Sequence, residues 1–108
     1  MKSILLDTLN HKIKTIELST DPDYKEIAKT LGDNVKYIQC VGILANGDRI
    51  YASGNPIAEG FECHIISHYT QVKIINSAII IGVSEDGKFK DPLISLQEVQ
   101  KNFSFSVA

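Results

Sequence analysis

The chain has 108 residues, enough for one domain, and a hydrophobic fraction of 44%, which is typical of a folded protein and argues against disorder. Its 11 basic and 13 acidic residues give a formal net charge of -2 and are spread along the whole length. The sequence therefore lacks both the basic stripe of a nucleic-acid-binding protein and the strongly acidic surface of a DNA mimic. We predict a single α+β domain over residues 1–108 that does not bind nucleic acid.

The N-terminal segment and the cysteines bear on the compartment. The first apolar run ends at Asp7, too early for a signal peptide, and no stretch approaches the ~20 apolar residues that span a bilayer. Small secreted domains usually carry more cysteines than the two found here, so we expect Cys40 and Cys63 to be reduced thiols. These features predict a cytoplasmic protein with no membrane partner.

Two strands and a helix are predicted in the first third of the chain. Ser3–Leu6 and Ile13–Leu18 are strand-like runs, separated by a polar break around His11 that can turn a hairpin. A helix is predicted at about 22–31, because Pro22 suits its first position and apolar residues then recur at spacings of three and four. We expect Gly32 to end this helix in a left-handed conformation.

Asn46-Gly47 predicts a hairpin between a strand at Val35–Leu44 and the strand that follows. A two-residue loop would place Ile43 opposite Ile50, Val41 opposite Ala52 and Gly42 opposite Tyr51. One face of this hairpin, formed by Val41, Ile43, Ile50 and Ala52, would be apolar and belong to the core. The other face would be mixed in polarity.

The second half of the chain predicts further strands and a short helix. Residues 61–69 fit either a strand or a short helix, and this alternative stays open. Val72–Val83 reads as one long strand, and its Ala78–Ile81 part is apolar on both faces, so it belongs in the middle of a sheet. Ser95 and Glu98 match a capping box at the start of a helix.

These elements predict the fold class and suggest an assembly. The fold is α+β, with a mainly antiparallel sheet of about 5–6 strands, one short helix near 22–31 and a second near 96–103. Two central strands that are apolar on both faces need cover on both faces. The first helix can cover one face, and the second helix, a loop or another copy of the protein must cover the other. This need is the reason to expect a homodimer.

Glu62, His64 and His68 are the candidates for a metal site. In a strand all three would share a face, and in a helix the two histidines would align one turn apart. Zn²⁺ takes imidazole ligands of this kind but requires more of them, and the sequence offers no second paired motif. We predict no catalytic residue and no cofactor. Cys63 and His64 are neighbours, but adjacent residues of a strand point to opposite faces, and the glycines match no phosphate-binding loop.

A binding surface is predicted around the second strand of the central hairpin. Arg49, Tyr51 and Ser53 alternate along that strand and share one face, and the loop with Asn55 and Glu59 follows directly. Tyrosine and arginine are enriched at binding hot spots, and loops beside a rigid sheet often carry recognition. These five residues are the predicted binding site.

Four short motifs stand out in the second half of the chain: Asn55-Pro56-Ile57-Ala58, the apolar strand Ile79–Val83, the turn Glu85-Asp86-Gly87 and the segment Leu93–Leu96. Through these motifs, residues 13–97 resemble a family of small uncharacterised domains found in phage, plasmid and other mobile-element genes of bacteria. The resemblance implies a bacterial or phage accessory role, and it implies no particular chemistry.

Three hypotheses follow for the function. The leading one is a small non-enzymatic binding protein, such as a phage or mobile-element accessory factor that binds and modulates a host protein. The alternative is a protein that binds or sequesters a small molecule such as a nucleotide or signal molecule. The hypothesis that the sequence favours least is a metal-dependent enzyme that uses His64 and His68.

Overall fold

The computed structural model describes residues 1–8, 10–54, 63–67, 71–72 and 77–107. Its helices are α1 (Tyr24–Leu31) and α2 (Leu96–Asn102). In chain order the strands are β1 (Lys2–Asp7), β2 (Lys12–Glu17), β3 (Ile38–Ile43), β4 (Arg49–Ser53), β5 (Cys63–Ser67), β6 (Gln71–Val72), β7 (Ala78–Val83), β8 (Phe89–Lys90) and β9 (Phe103–Val107).

The strands form two antiparallel sheets. The main sheet has six strands, five of them in the order β2-β1-β7-β4-β3, with β8 paired to β7. The smaller sheet has three strands, in the order β6-β5-β9. The predicted fold class, an α+β fold with an antiparallel sheet and two short helices, is confirmed.

The first hairpin and helix α1 follow the sequence closely. β1 and β2 pair through a turn in which His11 adopts a positive φ of 53°. Helix α1 begins two residues later than predicted, because the Asp23 side chain caps it by accepting a hydrogen bond from the Glu26 amide at 2.9 Å. Gly32 ends the helix with a positive φ of 158°, which favours glycine, but its ψ of 152° differs from that of the predicted left-handed helical conformation.

The central hairpin differs from the predicted register. The Leu44 amide donates to the Asp48 carbonyl at 2.7 Å, so the loop has three residues and ends at Gly47, where φ is 94°. A bulge between Cys40 and Gly42 shifts the pairing again, so that Tyr51 lies opposite Cys40. Ile43 consequently pairs with Arg49 and is 62% exposed, outside the core where we had placed it.

Strand β7 lies in the middle of the main sheet, as its apolar sequence predicts. Ala78 and Ile80 pack in a core cluster on one face, with Ile94, Val99 and Phe103 from α2 and its flanks. Ile79 and Ile81 pack in a second cluster on the opposite face, against Ile27 of α1. Both faces are therefore covered from within the chain, and the packing reason for expecting a homodimer no longer applies.

Three further predictions are settled by the backbone. The expected single strand Val72–Val83 is wrong, because β6 ends at Val72 in the smaller sheet and β7 starts at Ala78 in the main one. Residues 61–69 were expected to form either a strand or a short helix, and residues 63–67 form a strand. Helix α2 begins as predicted, with the Ser95 side chain accepting from the Glu98 amide at 3.1 Å, and ends at Asn102, before β9.

Candidate functional site

The structure brings together three of the five predicted binding residues. Arg49, Tyr51 and Ser53 alternate along β4 and point to the face that carries α1. Arg49 and Ser53 are half-buried. Asn55 and Glu59 lie outside the described residues.

Tyr51 is a core residue, which corrects its prediction as an exposed hot spot. Only 4% of its surface is exposed, because Tyr24 from α1 and Phe89 from β8 pack edge-on against its ring. The ring centroids lie 6.3 Å from Tyr24 and 5.7 Å from Phe89. Burial raises the pKa of the Tyr51 phenol, and a hydrogen bond from Arg49 opposes that rise. Of the three rings in this cluster, Tyr24 is the most exposed, at 58%, and Phe89 is half-buried.

The predicted metal-binding residues stay a prediction. The backbone of His64 lies on β5, its side chain lies outside the described part of the structure, and so do Glu62 and His68. The third histidine, His11, stacks on the ring of Phe105 with 5.3 Å between centroids. Across the described residues, no group of three side chains could hold a metal ion.

Among the strands that the structure describes, β3 forms one edge of the main sheet, and it turns backbone groups outward. In an antiparallel pair, hydrogen-bonded residue pairs alternate with pairs whose N–H and C=O groups point away from each other. The Gly54 amide donates to the Tyr37 carbonyl at 2.9 Å, so these two residues form a hydrogen-bonded pair. Because the orientation alternates along β3, the N–H and C=O groups of Ile38 and Cys40 point away from β4. At the other end of β3, Leu44 forms a hydrogen-bonded pair with Asp48, so the N–H and C=O groups of the preceding residue, Ile43, also point away from β4. We call Ile38, Cys40 and Ile43 the β3 edge.

The side chains of β3 leave this edge open. The strand reads Ile-Gln-Cys-Val-Gly-Ile and carries no charge, and both Cys40 and Ile43 are exposed. In the part of the chain that the structure describes, β4 is the one strand that pairs with β3.

Strand β2, the opposite edge of the sheet, is protected. It carries Lys12, Lys14 and Glu17, and charged side chains discourage the addition of another strand. The mutual hydrogen bonds of Met1 and Leu18 place Thr15 and Ile13 at its outward-pointing positions. The Gln100 side chain of α2 donates to the Ile13 carbonyl at 3.3 Å and so occupies one of the outward-pointing acceptors.

Arg49 supplies a positive charge next to the β3 edge. Arg49 lies directly opposite Ile43, and its guanidinium donates to the Tyr51 hydroxyl at 3.5 Å. Because Tyr51 pairs with Cys40, the guanidinium points along β3 from Ile43 towards Cys40. No carboxylate within the described ranges forms an ion pair with it. The candidate site is therefore an uncharged edge strand with an uncompensated guanidinium beside it.

Only part of this site was predicted from the sequence. Arg49 was found because its strand alternates, but the β3 edge was missed. An apolar strand looks the same in a single sequence whether it lies inside a sheet or at its edge. The absence of charge between Ile38 and Ile43 was visible, but its meaning depends on the order of the strands.

Comparison with known proteins gave no match. No family model, no curated protein and no solved structure resembles the chain with statistical significance. Neither helix in the described part of the chain is long and apolar enough to cross a membrane.

Proposed function

We propose that this chain is a small non-enzymatic binding protein that recruits an extended segment of another protein along the β3 edge. Strand addition of this kind uses the backbone groups of an exposed edge for affinity and the flanking side chains for specificity. The observation that carries the proposal is the outward orientation of Ile38, Cys40 and Ile43 on an uncharged strand.

The contrast between the two edges of the sheet supports this proposal. An open edge is a liability, because it can pair with other chains and cause aggregation. Strand β2 is protected from strand addition by its charged side chains and by the hydrogen bond that Gln100 donates to it. Strand β3 carries no charged residue, and no side chain in the described ranges bonds to its outward-pointing groups, as expected of an edge that is used for binding.

The biological setting of the proposal comes from the sequence. The resemblance of residues 13–97 to domains of phage and mobile-element genes favours an accessory factor that binds and modulates a host protein. The free thiol of Cys40 is exposed, and a reducing compartment such as the cytoplasm would keep it in that state.

The experiment uses a phage-displayed library of random ten-residue peptides, selected on the immobilised protein. The matched variants are Cys40→Pro, which removes an outward-pointing N–H from β3, and Thr15→Pro, which removes one from β2. We expect the selected peptides to bind the wild type and Thr15→Pro equally and to lose binding to Cys40→Pro. Failure to select any peptide, or equal binding to all three proteins, would refute the proposal. Circular dichroism checks that both variants keep the fold.

Small-molecule binding is the second candidate, and one cavity favours it. The cavity has a volume of about 200 Å³ and lies between the first hairpin and the segment that leads into α2. Ile4, Ile94 and Leu96 supply apolar lining, while Lys2 and Asp91 supply charge. Native mass spectrometry of the purified protein tests this candidate, which predicts bound mass beyond that of the chain. A wild-type spectrum at the sequence mass alone would count against it.

A further inference from the structure

We propose that the β3 edge selects an extended segment that carries an acidic side chain, Asp or Glu, which pairs with Arg49. This inference rests on the proposed function and names the chemistry of its partner. It is carried by one juxtaposition: among the described residues, a guanidinium with no carboxylate partner lies beside an uncharged edge strand.

The geometry of the sheet brings an added strand within reach of Arg49. Neighbouring strands lie about 4.8 Å apart, so a strand added to β3 would lie about 10 Å from β4. Arg49 and Cys40 share the face that carries α1, and so does the partner residue opposite Cys40. The Cys40 side chain is small, so an arginine and a glutamate can meet above it.

The Tyr51 hydroxyl orients the guanidinium for this contact. It accepts the hydrogen bond from Arg49 at 3.5 Å, and the pairing register places Tyr51 directly opposite Cys40. The guanidinium therefore points towards Cys40, where the partner carboxylate would arrive. A guanidinium can donate two parallel hydrogen bonds to a carboxylate, which gives the contact direction as well as charge.

A second copy of the chain fits this site less well than an acidic segment of another protein. If two copies paired through β3, each would present the sequence Ile38–Ile43 to the other, and that sequence holds no carboxylate. Arg49 would then remain uncompensated in both copies. An acidic partner would form an ion pair with Arg49. Dimerisation through β3 is therefore treated as an alternative result of the experiment below.

The test extends the peptide selection. We expect the selected peptides to alternate apolar and polar residues and to share one Asp or Glu. The best peptide is synthesised with its acidic residue and with the matching amide, and both forms are titrated against the wild type, Arg49→Gln and Arg49→Lys. Loss of a charged hydrogen bond predicts about tenfold weaker binding of the acidic peptide to Arg49→Gln. The amide peptide should bind both proteins equally, and Arg49→Lys should retain most of the affinity.

Lys14→Gln is the control for net charge, since it removes one positive charge from the opposite edge. Equal losses for Arg49→Gln and Lys14→Gln would overturn the inference, because the effect would then be general electrostatics. Selected peptides without a shared acidic residue would also overturn it, and if they still require the β3 edge, the proposed function stands. Concentration-dependent dimers that Cys40→Pro abolishes, seen by sedimentation without peptide, would assign the edge to a second copy and overturn the inference as well.

Discussion

The backbone N–H of Leu93 donates a bifurcated hydrogen bond to both carboxylate oxygens of Asp48, at 3.0 and 2.9 Å, although 45 residues separate the two along the chain. A further bond, from the Ile94 amide at 2.9 Å, completes the contact, and Asp48 is only 1% exposed. The turn of the central hairpin is thereby tied to the segment that leads into α2. This tie fixes the start of β4, and with it the position of Arg49.

Replacing Asp48 should therefore be costly. Asp48→Ala leaves two backbone amides without their acceptor, and Asp48→Asn can turn a donor towards them. We expect either change to lower the free energy of unfolding by about 2–4 kcal/mol, measured by urea denaturation. The exposed Glu85→Gln is the control, with an expected change below about 0.5 kcal/mol. A similarly small change for both Asp48 variants would show that the tie does not stabilise the fold.

Removal of the Ser3 hydroxyl should be neutral or favourable. Ser3 is fully buried, and its Oγ has no hydrogen-bond partner among the described residues. A buried hydroxyl without a partner costs free energy, so Ser3→Ala should leave the protein equally stable or up to about 1 kcal/mol more stable. Thermal and urea unfolding measure the difference. A clear loss of stability would indicate that the hydroxyl has a partner after all.

The stability contributed by Glu26 should depend on pH. Hydrogen bonds from the side chain and the backbone amide of Ser19 lower the pKa of its carboxyl group in the folded protein. Because the pKa of Glu26 is lower in the folded protein, folding favours its charged form. The stability that Glu26 contributes is therefore present above the pKa of the unfolded chain, and it is lost as the pH falls through the pKa of the folded protein. Urea midpoints of the wild type and Glu26→Gln should therefore differ at pH 7 and converge in acid. A difference that persists unchanged in acid would contradict the assignment.

The two faces of β7 should contribute comparably to stability. Ile79 and Ile80 are both fully buried, one in each core cluster. Ile79→Val and Ile80→Val should each cost about 0.5–1.5 kcal/mol in the free energy of unfolding. The same change at the exposed Ile43 is the matched control and should cost almost nothing. A negligible cost at either buried position would show that the corresponding cluster is loosely packed.

Local patterns predicted those parts of the fold that depend on neighbours in sequence. The strand-like runs of β1 and β2, the capping box at Ser95 and the apolar run at Ala78–Ile81 each predicted the correct element. Strand β9 was missed, although Phe103-Ser-Phe-Ser-Val alternates as a strand should, because the helix pattern before it was extended by one residue.

The parts that could not be predicted depend on distant contacts. The register of the central hairpin is an exception, because it is set locally: Asn46-Gly47 indicated a hairpin, but the Asn46 side chain accepts from the Asp48 amide at 2.9 Å, within a three-residue loop that changes the register. Tyr51 was expected at the surface because Arg49 and Ser53 flank it, yet rings from α1 and β8 cover it. The open edge at β3 follows from the strand order, which is a property of the whole sheet.

Hydrogen exchange at the Cys40 amide, followed by NMR with and without a selected peptide, tests the central claim most directly. This N–H points away from β4, so it should exchange rapidly in the free protein and slowly in the complex, where a partner carbonyl accepts it. The Thr15 amide on the opposite edge should not change. Binding of the peptide with no slowing at Cys40 would contradict strand addition at β3.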